Sequence, residues 1–163
     1  MGRTVRPRMI SADGVPMSAL VAEVPDPRAV VIALHGGGTT SVYFDCPGQP
    51  NLSLLRAAAA LGYTVIALDR PGYGSSALYP DETATPEQRV RLAYLAVDRI
   101  LGDRARGAGL FLLGHSNGCE LAVRMAADER GAELLGMELA GTGRRYSDAA
   151  RSAFNAPAPG QRN

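Results

Sequence analysis

The sequence predicts an α/β fold: a mostly parallel sheet with helices on both faces and an N-terminal β-hairpin. Three observations carry that expectation. Apolar runs at residues 29–34, 64–68 and 110–113 read as buried strands, and 134–139 reads as one more strand. Segments with helical start, spacing or stop signals lie between them. Near the N-terminus, Asp13-Gly14 separates two strand-like stretches, and this dipeptide favours the turn that matches strand twist.

In chain order, residues 8–12 and 15–24 form the expected hairpin, punctuated by Pro25 and Pro27. The run A-V-V-I-A-L at 29–34 ends in His35-Gly36-Gly37-Gly38-Thr39-Thr40, and a polar loop follows to Pro50. Leu52, Leu55 and the alanines up to Leu61 predict a helix, with Gly62 where a C-terminal cap belongs. The strand at 64–68 runs into the turn-rich Asp69-Arg70-Pro71-Gly72-Tyr73-Gly74-Ser75-Ser76. Thr85-Pro86-Glu87-Gln88 has a capping threonine, a proline at the first helical position and glutamine three after the threonine. Val90, Tyr94, Val97 and Leu101 then recur at helical spacing and give one apolar face. The run at 110–113, with the pattern of a strand buried on both faces, stops at Gly114-His115-Ser116-Asn117-Gly118. Leu121, Val123, Met125 and the nearby alanines begin a helix. The strand at 134–139 closes in Gly141-Thr142-Gly143.

With 163 residues the chain is one domain by length, large enough for a real core. A net charge of +1 argues against nucleic-acid or membrane-surface partners. All 17 basic residues are arginine, which with the Ala, Gly and Pro excess reads as coding bias. Cys46 and Cys119 have no metal-ligand spacing and read as reduced thiols of a cytoplasmic protein. Residues 1–10 carry three arginines and no apolar core, so they do not read as a signal peptide. No run approaches membrane-spanning length.

The chemistry concentrates at Ser116. G-x-S-x-G between a strand and a helix puts a serine at a sharp turn with its hydroxyl held above the sheet. Gly114 and Gly118, lacking Cβ atoms, let neighbouring elements crowd that turn. The helix that follows aims its N-terminus at the site, where N–H groups stabilise negative charge.

Three motifs in order, His-Gly-Gly-Gly at 35–38, Asp69-Arg70-Pro71-Gly72-Tyr73-Gly74 and Gly-His-Ser-Asn-Gly at 114–118, resemble the α/β-hydrolase superfamily over residues 9–143. The resemblance implies Ser116 as nucleophile and the Asn117 N–H as one oxyanion donor. Gly37, with Gly38, supplies the other. A tetrahedral intermediate places charge on the carbonyl oxygen, and fixed N–H groups stabilise it. Such an enzyme would cleave an ester, thioester or amide of a small acyl substrate through an acyl-enzyme, without a cofactor. Epoxide-hydrolase and dehalogenase relatives use an elbow aspartate, so the serine argues against their chemistry. Neither glycine loop matches a nucleotide-binding motif.

The pattern breaks at the base. Family members carry a histidine after the last strand, but the only histidines here are His35 and His115, both inside loop motifs. His35 is expected to order its glycine loop, and the His115 side chain to point away from the serine hydroxyl. Glu138, in Met137-Glu138-Leu139, is the candidate triad acid: haloalkane-dehalogenase-like members carry theirs at this strand end in a Met-Glu-aromatic setting. The other reading of Glu138 is a rim residue paired with Arg144 or Arg145. Asp148 is a weaker candidate acid. Residues 1–143 thus resemble the first part of the fold, with 144–163 a polar tail or the start of a lid segment. The strand at 134–139 would then be a sheet edge and part of the apolar sheet would be uncovered. Such a chain is expected to be poorly soluble, to form homo-oligomers, or to be completed by a partner fragment at that edge. The alternative reading is a scaffold without the triad histidine that acts by binding. Tyr43, Phe44 and Tyr73 either line a substrate pocket or pack loops.

Overall fold

Asp13 and Gly14 both take positive φ, 48° and 83°, the geometry of the two-residue turn expected of Asp-Gly. That turn folds β1 (Val5–Ala12) onto β2 (Val15–Ala22), with Ala12 opposite Val15. The computed structural model describes residues 4–143, 145, 147 and 148. Most of the stretch expected as a tail, 144–163, therefore lies outside the described residues.

Among the described residues four more strands join the sheet: β3 (Val30–Leu34), β4 (Thr64–Leu68), β5 (Leu110–His115) and β6 (Leu134–Ala140). Their order is β1-β2-β4-β3-β5-β6. β2 meets β4 antiparallel, while β4, β3, β5 and β6 run parallel, as strands joined by helical crossovers must. β6 is an edge strand of this sheet, as expected.

The alternation of side chains along each strand divides the interior into two layers. Val30, Ile32, Leu34, Ile66, Leu68 and Leu112 pack on α2 (Pro86–Leu101) and α3 (Gly118–Ala127). Ala33, Val65 and Ala67 face the other way, toward Leu55 and Ala59 of α1 (Leu54–Ala60). Helices therefore lie on both faces.

α1 starts two residues later than the apolar spacing suggests. Ser53 caps it, its Oγ accepting from the Arg56 N–H and donating to Asp45 Oδ1 at 2.6 Å, while Pro50–Leu52 forms a separate 3-10 turn. Its end matches expectation: Gly62 adopts φ 91°, and the N–H groups of Gly62 and Tyr63 return to the carbonyls of Ala59 and Ala58. Ala29, expected in β3, lies just before it, making an isolated bridge to Gly107 while its carbonyl accepts from the Thr64 N–H (3.2 Å).

One expectation fails at β5. The run at 110–113 reads as buried on both faces, yet Phe111 and Leu113 are only half-buried. Periodicity reports an apolar run and not what covers it. Phe111 and Leu113, with Val31, Ala58, Tyr63 and Leu135, border an open groove of about 580 Å³ beside α1. No helix among the described residues is long and apolar enough to cross a membrane.

Candidate active site

Ser116 stands where β5 ends and α3 is about to begin, and its φ is 51°. A side-chain-bearing residue in this left-handed region costs of order 1–3 kcal/mol. The surroundings enforce it. Ser116 N–H donates to Ala140 O at the end of β6 (2.8 Å), and Ser116 O accepts from Cys119 N–H (3.0 Å). A Cβ on Gly114 would come within 2.8 Å of Cys119 Cα, and one on Gly118 would overlap the carbonyl oxygens of Leu34 and His35. Both positions therefore require glycine for space, and α3 sits directly on the end of β3.

The glycine loop after β3 lies against this turn. A Cβ on Gly36 would be 3.1 Å from Ser116 Cβ, and one on Gly37 would be 2.9 Å from Asn117 Nδ2. Gly37 and Asn117 are thus brought together. Among the described residues neither N–H makes a hydrogen bond, so both donors are free. Gly38 takes φ 68°, and a Cβ there would meet nothing within 4 Å.

His35 holds the loop in place. The Arg70 N–H donates to its Nε2 (3.0 Å), so Nε2 is unprotonated, and Nδ1–H donates to Gly36 O (2.8 Å). Burial pushes its pKa down, and the nearby Arg70 guanidinium pushes the same way against the Gly36 hydrogen bond. The ring is a neutral strut. Arg70 adds a second tie, Nη2 to Gly36 O at 3.0 Å, and its guanidinium lies over Tyr73. Asp69 anchors the same corner through Ser41 N–H (2.6 Å) and Ser18 Oγ (2.5 Å).

His115 stacks on Tyr43 with ring centroids 4.6 Å apart, and its Nε2 meets the Tyr43 hydroxyl at 3.2 Å. Its buried Nδ1 has no hydrogen-bond partner among the described residues. Neither histidine is hydrogen-bonded to Ser116.

Glu138 lies opposite Leu113 in the β5–β6 register, exposed, and makes no ion pair among the described residues. Arg145 does not pair with it, and Arg144 lies outside the described residues. Burial pushes the Cys119 thiol up, and the Glu138 charge adds to that. Asp148 is exposed. No group of three His, Cys, Asp or Glu among the described residues could hold a metal.

Ser116, Asn117, Cys119, Leu139 and Thr142 border an open crevice of about 770 Å³. Of the three aromatic residues flagged, Tyr43 packs on His115, Phe44 is buried edge-on to Tyr43, and Tyr73 stands edge-on to His35 while also bordering a second pocket. Sequence reasoning missed the Arg70 clamp and the Tyr43–His115 stack. The first had a visible signal, an arginine inside the Asp-Arg-Pro-Gly turn. The second had none, since 72 positions separate the partners.

A sequence profile of the Alpha/beta hydrolase family matches residues 31–162, which span both glycine motifs and the Asp69 turn. The chain belongs to that family. Among solved structures, this α/β hydrolase is similar to an epoxide hydrolase of Vigna radiata, with a TM-score of 0.66 at 17% identity over 93% of this chain. It is also similar to an epoxide hydrolase from an endophytic Streptomyces (0.64, 21%, 83% of this chain). A predicted CIB-like hydrolase from Thermoplasma acidophilum is a third (0.64, 20%, 85% of this chain). The matches cover 46%, 36% and 63% of those chains, so this α/β hydrolase spans about half the length of the first of them or less than two thirds of any of the three. No curated protein matches the chain.

Proposed function

We propose that this α/β hydrolase is a serine hydrolase that cleaves an ester, thioester or amide through an acyl-enzyme on Ser116. The observation that carries the reading is the strained φ of 51° at Ser116, with the unbonded N–H groups of Gly37 and Asn117 beside it. Ser116 Oγ bonds to the carbonyl carbon, its proton passes to a base and on to the leaving group, and the leaving-group bond breaks. The two N–H groups stabilise the charge on the carbonyl oxygen, an effect worth about 3–4 kcal/mol for one donor in comparable sites. Glu138 is the acid in this scheme. The epoxide hydrolases among the similar structures suggest a different reaction, but a serine at the elbow favours acyl transfer. The two free thiols fit a reducing, cytoplasmic setting.

A second reading has one observation in its favour. His35 uses both ring nitrogens structurally and His115 is stacked on Tyr43, so no imidazole among the described residues serves Ser116. On that reading the described part is a scaffold, completed by a partner fragment or acting by binding. Intact-mass analysis after incubation with a fluorophosphonate, with Ser116→Ala as control, separates the two. One stoichiometric adduct that disappears in Ser116→Ala supports the serine hydrolase. No adduct on a folded sample supports the scaffold.

A further inference from the structure

A pocket on the other side of Asn117 is bordered by two arginines that make no ion pair among the described residues. Arg70, Tyr73, Thr83, Arg89, Asn117 and Glu120 border this space of about 590 Å³. Asn117 and Glu120 also border the crevice that contains Ser116, so the two spaces adjoin across Asn117. A substrate reacting at Ser116 can extend over Asn117 into the pocket.

Arg70 is only 8% exposed, and its Nε makes no hydrogen bond among the described residues. Adjacent Asp69 gives its carboxylate to Ser41 and Ser18 instead. The face of Tyr73 offsets part of the cost of burying this cation, but a buried guanidinium with no ion pair among the described residues remains unfavourable. Arg89 sits in the first turn of α2, where a positive charge opposes the helix dipole. Its Nε donates to Thr83 O (2.7 Å) and its Nη2 to Ala84 O (3.3 Å), which holds the guanidinium at the pocket wall. Neither arginine forms an ion pair among the described residues, whereas Arg104, Arg106, Arg124 and Arg130 all do. Glu120, the acidic residue on the wall, is taken by Arg124 at 2.8 Å. The N-terminus of α3, beside Asn117, adds partial positive charge on the same side.

We propose that this pocket binds an anionic group of the substrate, a carboxylate or a phosphate, while the acyl carbon lies at Ser116. Arg89 contacts the anion and Arg70 supplies the buried charge behind it. The position of the reacting end rests on the serine-hydrolase reading; the anion site does not.

Isothermal titration at 0.15 M salt with glutarate, inorganic phosphate and the neutral control glutaramide tests the site. The wild-type chain, Arg89→Gln, Arg70→Gln and Ser116→Ala are compared. At least one anion should bind the wild type and Ser116→Ala alike, with at least tenfold weaker binding in Arg89→Gln and no binding of glutaramide. Preference for glutarate or for phosphate identifies the substrate group. Circular dichroism checks that both arginine variants are folded, and weakened binding in Arg70→Gln, which removes the buried charge, gives a second handle if Arg89→Gln is not. Absence of binding by either anion, or equal binding by both arginine variants, overturns the proposal. Mono-4-nitrophenyl glutarate should also acylate Ser116 at least tenfold faster than 4-nitrophenyl butyrate, a preference lost in Arg89→Gln. If neither ester acylates Ser116 while anions still bind Ser116→Ala, the hydrolase reading falls and the anion site stands.

Discussion

Gly118 and His35 each show how one residue holds the site together. Alanine normally improves a helical glycine position by about 1 kcal/mol. At Gly118 the added methyl would meet the carbonyls of Leu34 and His35, which belong to backbone that cannot swing aside. Gly118→Ala should therefore destabilise the fold by about 2 kcal/mol, the usual size of an overpacking penalty, as read from a urea midpoint. His35 makes a pH prediction. Burial lowers its pKa in the folded chain, so the unfolded chain binds a proton first as pH falls below about 6.5. Stability should be level with respect to this group above that pH and decline below it. His35→Gln should flatten the decline when urea midpoints at pH 7.5 and 5.5 are compared. An unchanged slope would mean that His35 is not held neutral. Of these two roles, the tight packing at Gly118 was legible from the G-x-S-x-G pattern, and so was the loop-ordering part of His35. The Arg70 N–H that selects the His35 tautomer was not, because nothing local in the chain sets that 35-residue approach.

At the scale of elements, local signals were decisive at the start of α2. Thr85 Oγ1 accepts from Gln88 N–H (3.2 Å), and Gln88 Oε1 accepts from Thr85 N–H (2.8 Å), the reciprocal pair expected from Thr-Pro-Glu-Gln. Thr85→Ala should cost about 1 kcal/mol in chemical denaturation, since the Gln88 N–H at the start of α2 loses its side-chain acceptor. A change below a few tenths would show that packing of Val90, Tyr94 and Val97 already fixes this end. The Ser53 cap of α1 was less legible. Its Oγ is held by Asp45, eight residues earlier, and that tie moves the start of the helix from Leu52 to Leu54.

For the whole molecule, the unequal cover of the sheet leads to a prediction about its behaviour in solution. α2 and α3 cover one face, whereas α1, only seven residues long, leaves the groove beside Phe111, Leu113 and Leu135 open. Leu135 and Met137 on the edge strand β6 are 52% and 42% exposed. Apolar surface next to an unpaired strand edge promotes association. We expect the isolated chain to elute from size exclusion as an oligomer or a broad aggregate. Phe111→Ser combined with Leu135→Ser should shift it toward monomer. A sharp wild-type monomer peak with cooperative unfolding would show that the open face is tolerated.

The amino-acid sequence alone determined the fold class, the elbow and its glycines, because these follow from short-range rules. Apolar runs select strands, capping residues start helices, and a positive φ or a crowded turn selects glycine. Tertiary structure alone decided the partners and exposure of the polar side chains that no local signal governs. It set the His35 tautomer, stacked His115 on Tyr43, left Glu138 exposed on an edge strand and placed Arg70 and Arg89 around one pocket. Those outcomes depend on which residues meet across the sheet and on how much of each remains in water. Both are set by packing between segments far apart in the chain.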